Sequence, residues 1–292
     1  MSFSFRNYEN LSEALLGGLH RLPDNLDVVV GIPRSGLVAA NILALYLNLP
    51  LTDLDGLVEK RLIASGPRGS GVRTIAPGDR VLVIDDSVGH GTQMTGARRR
   101  LRALEGQYDL TYAAVYVTPE ARHLVDVAFE VVPWGRAFSW NVLHHPALQE
   151  WCLVVDGVIT GPDVDEELPT RPLVRPTSRV GWLISQRSES ERGPVESWLQ
   201  HHRISYDHLV LRSPGGPVGA GFKGRVYRRT DANLLIEGNS RNTRRVAWYA
   251  GRPVLDWFRQ RLVAPPLAVR LARTTPTALV EGAMREFSPR GK

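Results

Sequence analysis

The sequence contains one cysteine, Cys152, among 292 residues. A single thiol cannot form a disulfide within the chain and cannot supply a cysteine-based zinc site. No run approaches the roughly 18 apolar residues that a membrane-spanning helix needs. The first residues, MSFSFRNYENLSEALL, lack the basic and then apolar pattern of a signal peptide. We therefore expect a cytoplasmic protein with no membrane partner.

The composition is that of a folded chain. Hydrophobic residues make up 43% of it, the mean hydropathy is -0.17, and the length favours two domains of ordinary size. The net charge of +6 and the pI of about 9.8 suit acidic or phosphorylated partners. The arginines are scattered, and the sequence has no zinc finger, basic zipper or RNA-recognition motif, so we expect no nucleic-acid partner.

The stretch 81–94, VLVIDDSVGHGTQM, organises the N-terminal half. Its four apolar residues predict a buried parallel strand that ends at two adjacent acids, Asp85 and Asp86. Gly89 and Gly91 follow, and then a helix-forming segment begins. Open α/β sheets bind ligands at the carboxyl ends of their strands. Two acids there can hold ribose hydroxyls or hydrated Mg²⁺, and a glycine-containing turn before a helix can cradle a phosphate.

Three other segments of this half carry weaker signals. A strand at 26–30 leads into GIPRSG (31–36), a loop that offers N–H groups to an anion or simply connects to a helix capped by Ser35. The segment 61–78 is rich in glycine and arginine, which suits a basic flap or a surface excursion. The segment 133–145 concentrates aromatic residues, which can stack on a planar base or pack the end of the core.

In this order, the segments resemble the type I phosphoribosyltransferases over residues 1–148. The stretch 81–94 is similar to that family's motif for phosphoribosyl pyrophosphate (PRPP). The resemblance implies a parallel sheet flanked by helices with a hood, PRPP and a base as ligands, Mg²⁺ as cofactor, a flexible flap at 61–78, and often a homodimer. It implies that Asp85 and Asp86 bind the ribose and the metal, and that these two acids and Arg34 are the catalytic residues. The other implied site residues are Gly89, His90, Gly91, Thr92 and Gln93 for the 5′-phosphate, Arg34, Ser35, Gly36 and Arg61 for the pyrophosphate, and Phe138 and Trp140 for base stacking.

The turn at 89–93 departs from the family pattern. The family commonly has an acid at the first turn position, where it can help the incoming base, whereas this chain has Gly89. It also commonly has Thr-Gly-x-Thr where this chain has His90 to Gln93. The backbone cradle is kept, but the base-handling acid is gone. His90 either substitutes as a general acid or phosphate ligand, or only fills the turn.

A second α/β pattern covers residues 149–262, followed by a basic tail at 263–292. Apolar strands are predicted at 151–159, 180–187, 206–212 and 232–240, with a helix after the second of them and a glycine-rich loop at 213–224 that ends near Lys223. The pattern predicts a further parallel sheet with flanking helices.

This second half resembles the haloacid-dehalogenase-like phosphohydrolases, as fused to phosphoribosyltransferases in some bacterial and phage proteins and in tellurite-resistance gene clusters. That family opens with Asp-x-Asp-Gly after a strand, and the matching tetrad here is 154–157, VVDG. The nucleophile position is Val154, which cannot form an aspartyl-phosphate. The remaining matches are Asp156, Ser185, Lys223 and Glu237, with Asn239 where a second acid is often found. The resemblance therefore implies a degenerate domain without phosphatase activity.

Two functions follow from these patterns. The first is a phosphoribosyltransferase that joins PRPP to a nitrogenous base or similar acceptor and releases pyrophosphate. The alternative is a non-catalytic PRPP or nucleotide sensor, or a scaffold, with an inactive phosphatase-like second domain. The residues do not identify the base.

Overall fold

The computed structural model describes residues 3–63, 74–161, 167–267 and 269. The chain divides into two compact units, Met1–Trp140 and Asn141–Lys292. The division falls before the predicted domain boundary between residues 148 and 149, because the short 3-10 helices Val142–His144 and Pro146–Glu150 belong to the second unit. No helix within the described ranges is long and apolar enough to cross a bilayer.

The first unit alternates strands and helices. Its strands are β1 (Ser4–Arg6), β2 (Val28–Gly31), β3 (Leu51–Asp53), β4 (Arg80–Val88), β5 (Asp109–Val117), β6 (Val127–Val131) and β7 (Arg136–Phe138), and its helices are α1 (Tyr8–Gly17), α2 (Gly36–Leu47), α3 (Leu54–Val58) and α4 (Thr92–Leu101). Five strands form a parallel sheet in the order β3-β2-β4-β5-β6, and β1 pairs with β7 in a separate parallel ribbon. The predicted parallel α/β fold of this half is confirmed.

The central strand β4 is longer than predicted. Its residues 81–84 are fully buried, because hydrophobic side chains pack on both faces of the sheet. The strand does not end at the acids. It continues to Val88, because β5 supplies backbone partners as far as Val117. The strand therefore extends two residues beyond the acid pair, and the turn begins at Gly89.

Helix α2 follows the loop 31–36 as predicted, and it ends at Asn48 in a left-handed conformation with φ 52°. The prediction that Ser35 caps this helix through its side chain is wrong. Ser35 occupies the N-cap position, but its backbone is helical and its hydroxyl makes no capping hydrogen bond. The hydroxyl of a capping residue normally reaches the helix N–H groups from an extended backbone.

The second unit has its own sheet. Its strands are β8 (Trp151–Val154), β9 (Val180–Ser188), β10 (Tyr206–Arg212), β11 (Leu234–Glu237), β12 (Val254–Asp256) and β13 (Arg261–Val263), and its helices are α5 (Arg192–His201), α6 (Gly219–Arg229) and α7 (Ser240–Ala250). The strand order is β10-β9-β8-β11-β12-β13, parallel except for β13. Strand β8 has β9 on one side and β11 on the other, so the strand order reverses there, which is where open sheets form a ligand crevice.

Two predictions about this unit need correction. The strand predicted at 151–159 ends at Val154, because the chain turns at Asp156 and at Gly157, whose φ is 94°. Lys223 lies within helix α6, not at the end of a glycine-rich loop. The tail predicted at 263–292 lies outside the described residues from 270 onwards.

Candidate functional site

The acid pair, Asp85 and Asp86, lies buried at the carboxyl end of β4, 6% and 3% exposed. The Asp86 amide N–H donates to Asp85 Oδ1 at 3.0 Å. Trp140 donates its indole N–H to Asp86 Oδ2 at 2.7 Å. Burial, followed by the charge and hydrogen bonding of Asp86, raises the pKa of Asp85 well above that of an ordinary carboxyl group. The pair is therefore predisposed to receive a cation or hydroxyl donors.

The turn 89–93 and Asp85 face one cavity. Its volume is about 200 Å³, and it is lined by Asp85, Ser87, Val88, Gly89, His90, Gly91, Thr92, Gln93 and Met94. Helix α4 begins at Thr92, so the last two residues of this segment form the first positions of the helix. The first N–H groups of a helix have no partner within it, and together with the helix dipole they favour an anion at this end. The structure thus brings the five predicted phosphate-binding residues together beside Asp85.

Gly91 is the residue that the shape of this turn requires. Its φ is 83°, and a Cβ there would lie 2.0 Å from Leu124 Cδ1. We expect Gly91→Ala to destabilise the protein by about 2 kcal/mol, from backbone strain plus the clash, and to weaken binding of ribose 5-phosphate. Urea unfolding and calorimetric titration measure the two effects.

Gly96 is the matched control for Gly91. It lies in the middle of α4, and a Cβ there would meet nothing within 4 Å. Gly96→Ala should raise the free energy of unfolding by about 0.5–1 kcal/mol and leave ligand binding unchanged. If Gly91→Ala behaved like Gly96→Ala, the turn would not need its left-handed residue.

The loop 31–36 meets the acid pair at the same sheet edge. Ile32 N–H donates to Ile84 O at 2.9 Å, which fastens the loop to β4. A Cβ at Gly36 would lie 2.9 Å from Asp85 Oδ1, so the start of α2 closely approaches that carboxylate. The Pro33–Arg34 peptide bond is cis. Arg34 is exposed and has no hydrogen-bond or ion-pair partner among the described residues, so its guanidinium is available to an anion.

The predicted flap is described only at its ends. Residues 64–73 lie outside the described part of the chain. Arg61 is described, and its Nε donates to Glu59 Oε2 at 3.2 Å, while its Nη2 lies 3.9 Å from Asp53 Oδ1. Its guanidinium is therefore engaged with carboxylates of its own segment, and its role toward pyrophosphate stays a prediction.

The aromatic segment 133–145 divides between core and surface. Phe138 is 4% exposed and packs on the rings of Tyr116 and Trp140, at centroid distances of 5.3 and 5.1 Å. Phe138 is thus a core residue here, and stacking on a base would require it to leave the core. Trp140 is half-buried and held by Asp86. Trp134 is 44% exposed, and its ring centroid lies 4.5 Å from that of His90.

The structure adds Arg136, which sequence reasoning missed. It is 8% exposed and donates from Nη1 to Val132 O and from Nη2 to Val88 O, both at 3.1 Å. Its Cζ lies 5.6 Å from the Trp134 ring centroid. Burial lowers its pKa, and the charges of Asp86 and Glu120 act in the opposite direction. The available signal was an arginine among aromatic residues next to the predicted site.

The four residues predicted for the second site also come together, at the carboxyl edge of the second sheet. Ser185 Oγ donates to Asp156 Oδ1 at 2.9 Å, and Gln186 N–H donates to Asp156 Oδ2 at 2.6 Å. Lys223 Nζ donates to both carboxylate oxygens of Glu237, at 2.8 and 2.9 Å.

A cavity of about 290 Å³ opens beside this second cluster. It is lined by Asp156, Gly157, Gln186, Lys223, Gly238, Asn239, Ser240, Arg241 and Arg259. Val154 is fully buried within β8, so the predicted nucleophile position offers only an aliphatic side chain.

The acid pair is the only feature of the N-terminal site that we predicted to bind a metal. Among the described residues, no three histidine, cysteine or acidic side chains form a group that could hold a metal ion by themselves. Mg²⁺ usually keeps several waters and binds through one or two carboxylates plus substrate phosphates. Two adjacent acids beside a phosphate-sized cavity fit an ion that arrives with its ligand.

Comparison with known proteins supports this assignment of the first unit. Residues 5–132, less than half of the chain, match the family model described as phosphoribosyl transferase domain. This match supports the phosphoribosyltransferase resemblance of the N-terminal half. The resemblance of the second half to haloacid-dehalogenase-like phosphohydrolases stays a prediction. A search of curated proteins finds no match.

Several solved structures align with the chain. Xanthine-guanine-hypoxanthine phosphoribosyltransferase of Helicobacter pylori is 17% identical with TM-score 0.37, covering 48% of this chain and 95% of its own. Purine phosphoribosyltransferase of Pyrococcus horikoshii is 19% identical with TM-score 0.36, covering 48% and 94%. Orotate phosphoribosyltransferase of Aeropyrum pernix is 23% identical with TM-score 0.30, covering 43% and 71%. All three TM-scores are below 0.5.

Proposed function

We propose that the first unit binds PRPP with Mg²⁺ and transfers its 5-phosphoribosyl group to a nitrogenous base or similar acceptor, releasing pyrophosphate. The observation that carries the proposal is the cavity of about 200 Å³ in which Asp85 and the turn 89–93 face each other at the carboxyl end of the central strand. The family match over residues 5–132 supports it.

The 5′-phosphate would occupy the turn. Backbone N–H groups of residues 89–93 and the start of α4 supply donors and a positive helix end, and the hydroxyl of Thr92 lies at the first helical position. This mode of binding depends on the path of the backbone, so it tolerates His90 and Gln93 in place of the more usual hydroxyl side chains.

The ribose and the diphosphate would lie between the acid pair and the loop 31–36. Asp85 and Asp86 would accept hydrogen bonds from the ribose hydroxyls, or hold Mg²⁺ through their free oxygens. When bound, Mg²⁺ would neutralise charge on the diphosphate. Arg34, exposed and unpartnered among the described residues, and the N-terminus of α2 would stabilise the departing pyrophosphate.

The transfer makes one C–N bond and breaks one C–O bond, and an acceptor nitrogen that carries a hydrogen also releases that proton to solvent. A lone pair on the acceptor nitrogen bonds to C1 of the ribose, while the C1–O bond breaks and its electron pair leaves with pyrophosphate. The ribose carries positive charge as this happens, and the buried acid pair lies on its side of the cavity. Fixed charges in a site shielded from water stabilise such a transition state without having to reorganise.

The test is pyrophosphate release from PRPP with Mg²⁺ and a panel of purine, pyrimidine and pyridine acceptors. We expect release with at least one acceptor, and no release when PRPP or acceptor is omitted. Calorimetry with PRPP and Mg²⁺ accompanies it. A blank acceptor panel together with no measurable PRPP binding would overturn the proposal.

A PRPP or nucleotide sensor is the second candidate, and two contacts favour it. Trp140 already bonds Asp86 Oδ2, so an incoming ribose must share or displace this N–H. The first turn position is Gly89, beside which Trp134 fills the space of a side chain. Tight PRPP binding together with a blank acceptor panel would favour the sensor.

For the second unit we propose a degenerate haloacid-dehalogenase-like domain without phosphatase turnover. Asp156, Ser185, Lys223 and Glu237 support the likeness by their placement around the switch point. Val154 cannot act as a nucleophile. Incubation with an aryl phosphate and Mg²⁺ should release no phosphate, and release would contradict the proposal.

A further inference from the structure

We propose that Arg136 and Trp134 form the acceptor subsite of the first unit and select a planar acceptor that carries a carboxylate. This inference rests on the proposed function, because it names the acceptor class for that reaction. It is carried by the surroundings of Gly89, by the lack of an ion-pair partner for Arg136 among the described residues, and by the exposure of Trp134.

A side chain at position 89 would point toward Trp134 and Arg136. A Cβ on Gly89 would lie 2.9 Å from Trp134 Cη2 and 3.4 Å from Arg136 Nη2. Position 89 is at the end of the turn nearer the acid pair, whereas the start of α4 is at the other end. The indole and the guanidinium therefore lie on the Cβ side of Gly89, beside the end of the turn that leads to the acid pair, where an acceptor would approach the ribose. Gly89 contributes no carboxylate that would repel an anion there.

Arg136 carries a buried charge that no described carboxylate pairs with. Its side chain is more than nine-tenths buried, yet its hydrogen bonds go to two backbone carbonyls, those of Val132 and Val88. No carboxylate of the described residues forms an ion pair with it. A guanidinium has five N–H donors, so donors remain. Buried charges are normally paired, because an uncompensated charge in a protein interior is costly. The carboxylates of Asp86 and Glu120 act on this charge without forming an ion pair with it, and an anionic ligand would supply a direct partner.

The exposed Trp134 ring indicates the shape of the ligand. The Trp134 ring is 44% exposed, and Arg136 Cζ lies 5.6 Å from its centroid. An exposed indole beside a guanidinium suits a flat ring that stacks on the first and places a carboxylate against the second. A neutral ring would gain the stacking but leave Arg136 without a counter-ion.

Matched pairs of acceptors test the inference by calorimetry on the full chain. The pairs are nicotinate with nicotinamide, and orotate with uracil, each titrated with and without ribose 5-phosphate and Mg²⁺. We expect the carboxylate member of at least one pair to bind about 30-fold more tightly than its neutral partner, the effect of a hydrogen bond to a charged group. Arg136→Gln should abolish this preference, and Arg136→Lys should keep part of it.

The controls separate this inference from the proposed function. Trp134→Ala should weaken both members of a pair about equally, and it keeps the test usable if Arg136→Gln does not fold. Ribose 5-phosphate affinity should be the same in Arg136→Gln as in the unmodified protein. If Arg136→Gln weakened ribose 5-phosphate binding as much as it weakened acceptor binding, Arg136 would contact the phosphate. That result would overturn the inference and leave the proposed function unaffected.

Two other results would also overturn the inference. One is that neither pair shows a preference for its carboxylate member. The other is that the preference persists in Arg136→Gln. Failure of the unmodified protein to bind PRPP or ribose 5-phosphate would instead count against the proposed function. The preference for the carboxylate acceptor would then still be tested by the titrations without ribose 5-phosphate.

Discussion

Replacing both acids, Asp85→Asn with Asp86→Asn, is expected to lower PRPP affinity in the presence of Mg²⁺ by about 1000-fold. Each hydrogen bond to a charged group contributes about 1.5–3 kcal/mol, so the loss of two corresponds to about 4 kcal/mol. The substitutions keep the shape of both side chains, so the amide oxygens can still accept from the Asp86 N–H and from Trp140. Isothermal titration with PRPP and Mg²⁺ measures the effect.

The double variant should remain folded. Two adjacent buried carboxylates disfavour each other's charge, which is one cause of the raised pKa of Asp85. Their removal relieves that repulsion, so the free energy of unfolding should not fall. Loss of binding without loss of stability is typical of a functional site.

Asp79→Asn is the control for the acid pair. Asp79 is also buried, and it lies next to the amino end of β4, where its carboxylate accepts from Ala76 N–H at 2.9 Å. It should leave PRPP affinity unchanged, because it is at the opposite end of the strand. If the double variant bound PRPP with undiminished affinity, the assignment of the ribose and metal site would be wrong.

The sequence predicted the residues of the N-terminal site better than the contacts among them. Strand β4, the turn and α4 follow directly from an apolar run, glycines and a helix former. The pattern could not show that β4 extends past the acids to Val88. Polar residues resemble a loop, and only the pairing with β5 keeps them extended. It also could not show that Trp140 donates to Asp86, since that contact joins residues far apart in the chain.

Arg136 shows why burial limits such prediction. The neighbouring aromatic residues were a signal in the sequence, but arginine side chains are mostly solvated, and the local sequence does not show that this one is buried. Its burial depends on β7 pairing with β1 and on the packing of Trp134 and Phe138 around its guanidinium. The absence of a carboxylate partner among the described residues appears only once the fold is known.

The misplacement of Lys223 has a different cause. The glycines at 213–224 favoured a loop, yet Gly219–Arg229 forms helix α6. Gly224 is explained by packing, because a Cβ there would lie 2.4 Å from Tyr249 Cβ on α7. A glycine that permits two helices to approach closely cannot be told by sequence alone from one that breaks a helix.

Replacing Lys223 with methionine is expected to destabilise the second unit by about 3–5 kcal/mol. The side chains of Lys223 and Glu237 are 2% and 0% exposed, and the ammonium bonds both carboxylate oxygens. Removing one partner of a buried pair leaves an uncompensated charge. Whole domains are stable by only about 5–15 kcal/mol, so this loss is large. Denaturant unfolding, followed by tryptophan fluorescence, measures it.

Restoring neutrality tests the electrostatic cause of that loss. Lys223→Met combined with Glu237→Gln should recover much of the stability, because no unpaired charge remains buried. Arg228→Met, on the exposed face of the same helix, should change stability by less than about 0.5 kcal/mol. Equal stabilities of Lys223→Met and Arg228→Met would show that the buried pair contributes nothing.

The stability lost in Lys223→Met should depend on pH if its cause is the unpaired charge of Glu237. Burial already raises the pKa of Glu237, although Lys223 and the Asn239 N–H act in the opposite direction. Without Lys223, the pKa of Glu237 in the folded protein should rise further above its value in the unfolded chain. At a pH between these two values, the folded state binds more protons than the unfolded state. Stability then falls as pH increases. We therefore expect the destabilisation by Lys223→Met to be smaller at pH 5 than at pH 8, because a protonated Glu237 needs no cation. A loss of stability that is the same at both pH values would indicate lost packing of the lysine side chain. The cavity of about 290 Å³ beside Lys223 would then owe its shape to that packing and not to a fixed pair of charges.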